Sequence, residues 1–257
     1  MLAAVPALAE ELKVAVTTSF YNSGLSDVLL PEIKADTGLD VQLIIVGTGQ
    51  AIRLGKAGDV DAILVHSRAA EEAFVAEGHG THRREIMYND FVLIGPADDP
   101  AGVAAVSNVV EALAAIADAK APFASRGDDS GTHKREVSLW AQADVVPIGG
   151  WFRELGAGMG AALNTAASMN AYILADRASW LNFGNRGDLA LLFEGDPALF
   201  NQYAFLPADP DMHSHVNIEA AIKLEEWLVS AKGQALIGSY EIDGETLFTP
   251  NAKGDGG

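Results

Sequence analysis

The chain alternates short apolar runs with amphipathic segments of helical period, and this alternation constrains its fold more than any other feature. The apolar runs have the length and β-branched content of buried strands: KVAVTTS from residue 13, VQLIIV from residue 41 and DAILVHS from residue 61. Segments 23–38, 50–58 and 69–78 place apolar residues on one helical face. Apolar strands separated by such helices predict an α/β fold, with parallel-rich central sheets covered by helices on both faces.

Two Pro- and Asp-rich stretches divide this alternating pattern into two lobes. FVLIGPADDPAGV, from Phe91, and QYAFLPADPDM, from Gln202, are the expected crossings. We therefore predict that residues 10–94 and 207–257 form lobe 1 and that residues 95–206 form lobe 2. A long helix over residues 217–233 is expected to pack on lobe 1. Small ligands bind at domain interfaces and at the carboxyl ends of parallel strands, so the ligand is expected in the interlobe cleft.

Charge and composition narrow the class of protein. The net charge of −18 over 257 residues argues against a nucleic-acid partner. The absence of cysteine excludes disulfides, a thiolate nucleophile and zinc–thiolate sites. At the N-terminus, MLAAVPALAEELK has an Ala-Leu-Ala triplet ending at Ala9, which is typical of a signal-peptide tail. We expect residues 1–9 to be a signal remnant cleaved near Ala9 and the protein to be exported; a short apolar helix is the alternative.

Three turns share one design, in which a strand ends, hydroxyl and glycine residues follow, and a helix begins. They are Thr17-Thr18-Ser19 before a helix at Ser23, Gly47-Thr48-Gly49-Gln50 before a helix at Ala51, and Ser130-Gly131-Thr132 before a helix at His133. A helix N-terminus offers unpaired N–H donors and the positive end of the helix dipole, which suit an anion. Helix capping alone explains any single turn of this kind. Three turns that converge on one cleft favour an anion site.

The stretch RGDDSGTHKRE, residues 126–136, adds charged groups to the third turn. The guanidinium of Arg126 suits an oxyanion, although an ion pair with Asp128 or Asp129 is also expected. The two carboxylates either accept a proton from hydrogen phosphate or hold Arg126 in place, and the second role is favoured. The stretch GMGAALN, residues 158–164, is a fourth helix start that either supplies backbone donors or packs small residues closely.

Other kinds of site have weaker support. His213 and His215 lie in a Pro- and Asp-rich loop and are expected to be solvated, while His66, His79 and His82 show no metal-ligand spacing. A hydrolase would need Ser130 with His133, and this spacing alone does not indicate a catalytic triad. A sensory domain is a further alternative. We expect a binding protein without enzymatic activity and without a cofactor.

The blocks quoted above resemble, in the same order, those of the tungstate-binding proteins of bacterial ABC uptake systems. The resemblance covers roughly residues 12–250, and it rests on TTS with SGLSDVLLP, VGTGQA, DAILVHS, RREIMYNDFVLIGP, SRGDDSGTHKRE and GMGAALN. It implies a two-lobed, type II periplasmic binding protein that closes over a tetrahedral oxyanion, tungstate or molybdate. It also implies a periplasmic monomer whose partners are a membrane permease and an ATPase.

By position, the resemblance assigns ligand binding to nine residues: Thr18, Ser19, Thr48, Gly49, Arg126, Ser130, Gly131, Thr132 and Ala162. Val16 and Ala162 stand where the family often has threonine, and Phe20 follows the serine, so the choice between tungstate and molybdate stays open. A phosphate- or sulfate-binding protein of the same fold is the closest alternative. A phosphate site would need Asp128 or Asp129 to accept the proton of the ligand. A tungstate site would have to reject sulfate by cavity size, because sulfate carries no proton at neutral pH.

Overall fold

The structure is a computed structural model that describes residues 10–128 and 130–252. The expected signal remnant at residues 1–9, Asp129 and the C-terminal residues 253–257 lie outside the described part. The described residues form two compact units. Unit 1 comprises residues 10–87, 202–240 and 248–252, and unit 2 comprises residues 88–201 and 241–247.

The described strands and helices follow the alternation of the sequence. The strands are β1 (Glu10–Thr17), β2 (Leu39–Val46), β3 (Ala62–Val65), β4 (Arg84–Pro96), β5 (Phe123–Ser125), β6 (Phe152–Glu154), β7 (Ile173–Asp176), β8 (Leu189–Phe193), β9 (Phe200–Pro207), β10 (Glu241–Ile242), β11 (Glu245–Thr246) and β12 (Thr249–Pro250). The helices are α1 (Thr18–Asn22), α2 (Leu25–Thr37), α3 (Thr48–Ala57), α4 (Arg68–Ala76), α5 (Val109–Ala119), α6 (Gly131–Gln142), α7 (Met159–Met169), α8 (Arg177–Leu181), α9 (Ile218–Val229) and α10 (Ala231–Gly238).

The sheet of unit 1 brings the ends of β1 and β3 to the same edge. Strand β1 pairs in parallel with β2 on one side and with β3 on the other, as the sequence predicts. Strand β9 pairs with β3 antiparallel, so the sheet is mixed rather than wholly parallel. A buried apolar cluster of Ala15, Ile63, Phe74 and Leu206 fixes the sheet against its helices. The carboxyl ends of β1 and β3 therefore lie beside the start of β9.

Glycine and serine residues set the helix ends of unit 1. Gly38 and Gly58, with φ of 75° and 73°, end α2 and α3 in the left-handed conformation that glycine favours. The predicted single helix over residues 217–233 is wrong, because Ser230 adopts an extended conformation between α9 and α10. Its hydroxyl accepts a hydrogen bond from the N–H of Gly233 at 3.1 Å. Serine is a strong N-cap, so it begins a new helix instead of continuing the old one.

In unit 2, two buried apolar clusters fix the positions of the strand-to-helix turns. Strand β4 pairs antiparallel with β7 and β8, and β5 pairs in parallel with β6. Phe123 on β5 meets Trp140 on α6 edge to face, with ring centroids 5.1 Å apart. Ala162 and Leu163 on α7 pack with Ile173 of β7 in the second cluster. These contacts fix the first turns of α6 and α7 relative to the end of β5.

Candidate functional site

A short helix that the sequence analysis did not predict begins at the first predicted turn. Thr17 ends β1 and caps α1, since its hydroxyl accepts a hydrogen bond from the N–H of Phe20 at 3.3 Å. This short helix, α1, ends at Asn22, and the helix predicted from Ser23 is α2, which begins at Leu25. Thr18 is exposed, and Ser19 is half-buried. Both hydroxyl residues thus lie in the first turn of a short helix, directly after a strand of the sheet.

Ser19 is the centre of a polar cluster in unit 1. Its Oγ lies 3.0 Å from Thr17 Oγ1, 3.2 Å from His66 Nε2 and 3.2 Å from Tyr203 Oη. His66 follows β3, and Tyr203 lies on β9 where that strand runs beside β3. Sequence reasoning missed both residues. The signal that could have found His66 is its position immediately after β3, the strand predicted to lie beside β1.

The second turn has the geometry of an open helix N-terminus. Gly47 caps α3 in an extended conformation and has no side chain to accept a hydrogen bond. The first N–H groups to donate within the helix belong to Gln50 and Ala51, and both reach the carbonyl of Gly47 at 2.9 Å. Within the described residues, the N–H groups of Thr48 and Gly49 have no acceptor. They are donors suited to an anion.

Arg126 follows β5 and lies nine-tenths buried in unit 2, with 7% of its surface exposed. Its Nε donates to the carbonyl of Ala157 at 2.8 Å, and its Nη1 lies 3.2 Å from the sulfur of Met159. Its Nη2 donates to the carboxylate of Asp128. Three of the five guanidinium N–H groups are thus used in holding the side chain, and the other two have no acceptor among the described residues.

Asp128 connects Arg126 to the turn that follows it. Its other carboxylate oxygen accepts a hydrogen bond from the N–H of Ser130 at 3.2 Å. The pKa of Asp128 lies below its usual value: burial acts to raise it, but hydrogen bonds from Ser130 and Arg126 outweigh burial. The carboxylate is therefore ionised at neutral pH. The structure brings Asp128 to the arginine, in the orienting position that the sequence analysis favoured.

The turn at Ser130 is a capped helix start, two residues earlier than predicted. The Ser130 hydroxyl accepts a hydrogen bond from the backbone N–H of His133 at 3.2 Å. The N–H groups of Gly131 and Thr132 come before the first helical hydrogen bond, which joins Lys134 N–H to the Ser130 carbonyl at 2.9 Å. The structure thus places Ser130 as a helix cap and leaves the two following N–H groups at the helix end.

Ala162 is fully buried in the first turn of α7. Its side chain is buried in the apolar cluster of α7, and its N–H donates to the carbonyl of Gly158 at 2.9 Å. The N–H groups ahead of that bond in the first turn of α7 belong to Met159, Gly160 and Ala161. The side chain of Ala162 thus packs in the apolar cluster and its N–H is used within the helix, while its role in ligand binding stays a prediction.

A buried acid that the sequence did not single out lies behind Arg126. Glu136 on α6 is 1% exposed, and its Oε2 accepts a hydrogen bond from the backbone N–H of Arg126 at 3.3 Å. Burial raises the pKa of Glu136 to about 7. Ser125 and Trp140 act against this rise, although neither makes a hydrogen bond of regular geometry with the carboxyl.

The remaining histidines have structural contacts. His213 and His215 were expected to be solvated, and the structure shows His213 half-buried and His215 exposed. Their Nε2 atoms also lie 2.9 Å and 2.8 Å from the carbonyls of Lys56 and Gly58 at the end of α3. Among the described residues, no group of His, Asp and Glu side chains is arranged to hold a metal ion. No helix in the described part of the chain is long and apolar enough to cross a membrane.

Comparisons with known proteins agree with this architecture. A family model described as a PBP superfamily domain matches residues 4–232. The chain is 48% identical over 243 residues to the tungstate-binding protein TupA of Peptoclostridium acidaminophilum, covering 93% of this chain and 85% of that protein. It is 43% identical to the solved tungstate-binding protein TupA of Desulfovibrio alaskensis G20, with a TM-score of 0.89, covering 95% of this chain and all of the other.

A second solved structure, the tungstate ABC transporter from Geobacter sulfurreducens, is 44% identical with a TM-score of 0.81. It covers 90% of this chain and 99% of the other. These matches confirm the predicted two-lobed α/β fold class and the family resemblance. The chain belongs to the PBP superfamily and, within it, to the family of the tungstate-binding proteins TupA.

Proposed function

We propose that this protein captures tungstate and delivers it to the permease of an ABC transporter. The observation that carries the proposal is the Arg126 guanidinium, which is nearly buried and held by Ala157 and Asp128 while two of its N–H groups remain for a ligand. The relatives named as tungstate-binding proteins supply the identity of the ion. Uptake, rather than catalysis, is the corresponding activity.

The proposed ligand groups of unit 1 are neutral donors. Thr18 and Ser19 supply hydroxyls, and Thr48 and Gly49 supply backbone N–H groups at the positive end of α3. Neutral donors suit this chain, because its net charge of −18 repels anions at long range. Short hydrogen bonds that replace the hydration shell of the ion would overcome that repulsion.

In unit 2 the proposed ligand groups are Arg126 and the first turn of α6. Arg126 supplies the positive charge, and Ser130, Gly131 and Thr132 supply a hydroxyl and backbone N–H groups. At the start of α7 we assign the donors to the N–H groups of Met159, Gly160 and Ala161, because that of Ala162 donates to the Gly158 carbonyl. Asp128 is committed to Arg126 and to the Ser130 N–H, so we propose that it orients the arginine and does not contact the ion.

A site made of donors selects among tetrahedral oxyanions by their protons. Tungstate and molybdate carry no proton at neutral pH, whereas hydrogen phosphate needs an acceptor for its own. With Asp128 already paired to Arg126 and to the Ser130 N–H, hydrogen phosphate would bring its O–H to proposed ligand groups that mainly donate, and a hydrogen bond left unmade costs about 1–3 kcal/mol. Sulfate carries no proton either, and we propose that it is excluded because it is smaller.

We also propose the location of the protein and its partners. The named transporter relative favours a membrane permease and an ATPase as partners, and the signal-like residues 1–9 favour export to the periplasm. Co-purification of the chain with the permease encoded for the same transporter, in the presence of tungstate, tests the partnership. Sequencing the N-terminus of the protein recovered from the periplasm tests cleavage near Ala9.

Calorimetric titration tests the ligand. Protein freed of oxyanions is titrated with tungstate, and then separately with molybdate, sulfate and phosphate. We expect saturable one-to-one binding of tungstate and no heat from sulfate or phosphate. Heat from phosphate without heat from tungstate would contradict the proposal and would give Asp128 or Asp129 the role of proton acceptor.

A further inference from the structure

Among the described residues, three side chains lie within hydrogen-bonding distance of the Ser19 hydroxyl, as many as a hydroxyl has hydrogen-bonding positions. A serine hydroxyl carries one O–H donor and two acceptor lone pairs. Thr17 Oγ1, His66 Nε2 and Tyr203 Oη all lie within 3.2 Å of Ser19 Oγ. Ser19 can therefore give its proton to an oxyanion only if two of these neighbours donate to Ser19 and the third does not accept the Ser19 proton.

His66 can meet that requirement in one tautomer and not in the other. With the proton on Nε2, the ring donates to Ser19 Oγ and leaves the serine proton free. With Nε2 unprotonated, the ring accepts the serine proton and removes it from any ligand. Ser19 is thus a donor toward the ligand only in the first case.

Tyr203 is placed to fill the second lone pair of Ser19. It is fully buried on β9, and its ring lies 4.8 Å from the His66 ring, centroid to centroid. Phe248 packs edge-on against its other side at 5.9 Å. These contacts fix the phenol oxygen 3.2 Å from Ser19 Oγ. The placement follows from the sheet, because Val65 pairs with Ala204 and the next residues along are His66 and Tyr203.

Thr17 is the neighbour that a ligand can replace as the acceptor of the Ser19 proton. Its Oγ1 already accepts the N–H of Phe20, and it keeps one lone pair that can accept the Ser19 proton across 3.0 Å. A ligand oxygen that approaches Ser19 from the side of Thr17 can therefore replace Thr17 as the acceptor of that proton, while Ser19 keeps the two bonds that it accepts. The serine is then satisfied both before and after the ion binds.

We propose that His66 and Tyr203 are positioning residues of the oxyanion site, which donate hydrogen bonds to Ser19 Oγ and so direct the Ser19 O–H toward the ligand. This inference rests on the proposed function, since it assumes that Ser19 contacts the ion. It assigns a role in binding to His66, after β3, and to Tyr203, on β9. Neither residue is expected to contact the ligand.

A set of variants tests this assignment by calorimetry with tungstate. His66→Phe and Tyr203→Phe each remove one donor and keep the ring, and each is expected to weaken binding about fivefold, the equivalent of one hydrogen bond. His66→Gln keeps an N–H donor at a similar reach and is expected to lose less. In a Ser19→Ala background, His66→Phe and Tyr203→Phe are expected to cause no further loss, because the hydroxyl that they orient is gone.

The control is Tyr240→Phe, which removes a hydroxyl that donates to the Ser23 carbonyl at 2.7 Å in the same unit. It is expected to lower the melting temperature and to leave the affinity unchanged. Should Tyr203→Phe fail to fold, the comparison of His66→Phe with His66→Gln decides the question alone.

Wild-type affinity in both ring variants, or equal losses with and without the Ser19 hydroxyl, would overturn the positioning role. The proposed function would survive that result, because the wild-type protein would still bind tungstate. Absence of tungstate binding by the wild-type protein would overturn both.

Discussion

The backbone N–H of Arg126 donates to the carboxylate of Glu136, 3.3 Å away, so a buried acid supports the residue that carries the positive charge of the proposed site. Glu136 extends from α6, the helix whose first turn supplies the other proposed donors of unit 2. One helix therefore presents donors at its start and holds the backbone of Arg126 from its second turn.

Glu136 makes the stability of the protein depend on pH in a defined direction. Its pKa is about 7 in the folded protein, against an ordinary value of 4.5, because burial disfavours the charged form. Between these values the folded state keeps a proton that the unfolded state releases, so its contribution is complete below pH 4.5 and is lost as pH rises to about 7. The shift of about 2.5 pH units corresponds to about 3 kcal/mol.

We predict that Glu136→Gln removes this component while keeping an acceptor for the Arg126 N–H. Compared with wild type, the variant should gain relative stability steadily from pH 5 to pH 7 and should differ little in slope above pH 8. Urea unfolding of both proteins at pH 5, 6, 7 and 8 measures the difference. A constant difference at all four values would show that Glu136 does not titrate in this range.

Arg126→Ala is expected to weaken tungstate binding by about 1.5–3 kcal/mol, the scale of a hydrogen bond to a charged group. Arg126→Lys should retain part of the affinity, because it keeps the charge but loses the planar set of N–H donors. Arg153, an exposed arginine on β6 of the same unit, provides the control, and its replacement by alanine should change the affinity little. Calorimetric titration of the three variants measures these losses, and equal affinities for Arg126→Ala and Arg153→Ala would remove Arg126 from the site.

The turns of the proposed site were predictable because their physics is local. A hydroxyl or glycine residue after an apolar run caps a helix wherever the chain goes next, and Asp128 lies two residues from the arginine that it binds. The helices predicted from Ala51 and His133 begin three and two residues earlier, at Thr48 and Gly131, because Gly47 and Ser130 act as caps. The short helix α1, capped by Thr17, was not predicted. Which of these residues contact the ion stays a prediction.

The partners of Ser19 could not be predicted in the same way. His66 is 47 residues away in the chain, and Tyr203 is 184 residues away. Their approach depends on the order and direction of β1, β3 and β9, and β9 runs antiparallel in a sheet that the sequence pattern predicts as parallel. Strand direction is set by the path of the whole chain, which a local pattern of apolar residues does not encode.

Two buried serines of unit 1 should respond to alanine in opposite ways. Ser26 lines an apolar cavity with Leu29 and Leu224, and its hydroxyl has no hydrogen-bond partner among the described residues. Removing an unpaired buried hydroxyl should stabilise the protein by about 1 kcal/mol. Ser23 is equally buried, but its hydroxyl donates to the Phe20 carbonyl at 2.6 Å, so Ser23→Ala should destabilise by about 1 kcal/mol. Thermal unfolding of both variants is the measurement, and a loss of stability in Ser26→Ala would contradict the assignment.

Gly127 links backbone conformation to the position of Arg126. Its φ is +57°, and a Cβ at this residue would lie 3.0 Å from Glu154 Cβ and 3.3 Å from Glu154 Cα. Gly127→Ala therefore adds about 1–2 kcal/mol of left-handed strain and a close contact that displaces the turn. Because Arg126 and Asp128 flank this glycine, the variant should lose both stability and tungstate affinity.

Gly102→Ala separates the two effects, since Gly102 has a φ of +72° in the same unit and no atom within 4 Å of an added Cβ. It should lose stability through the same strain and keep its affinity. Unfolding curves and calorimetric titrations of the two variants make the comparison, and unchanged affinity in Gly127→Ala would mean that the turn does not position Arg126 for the ion.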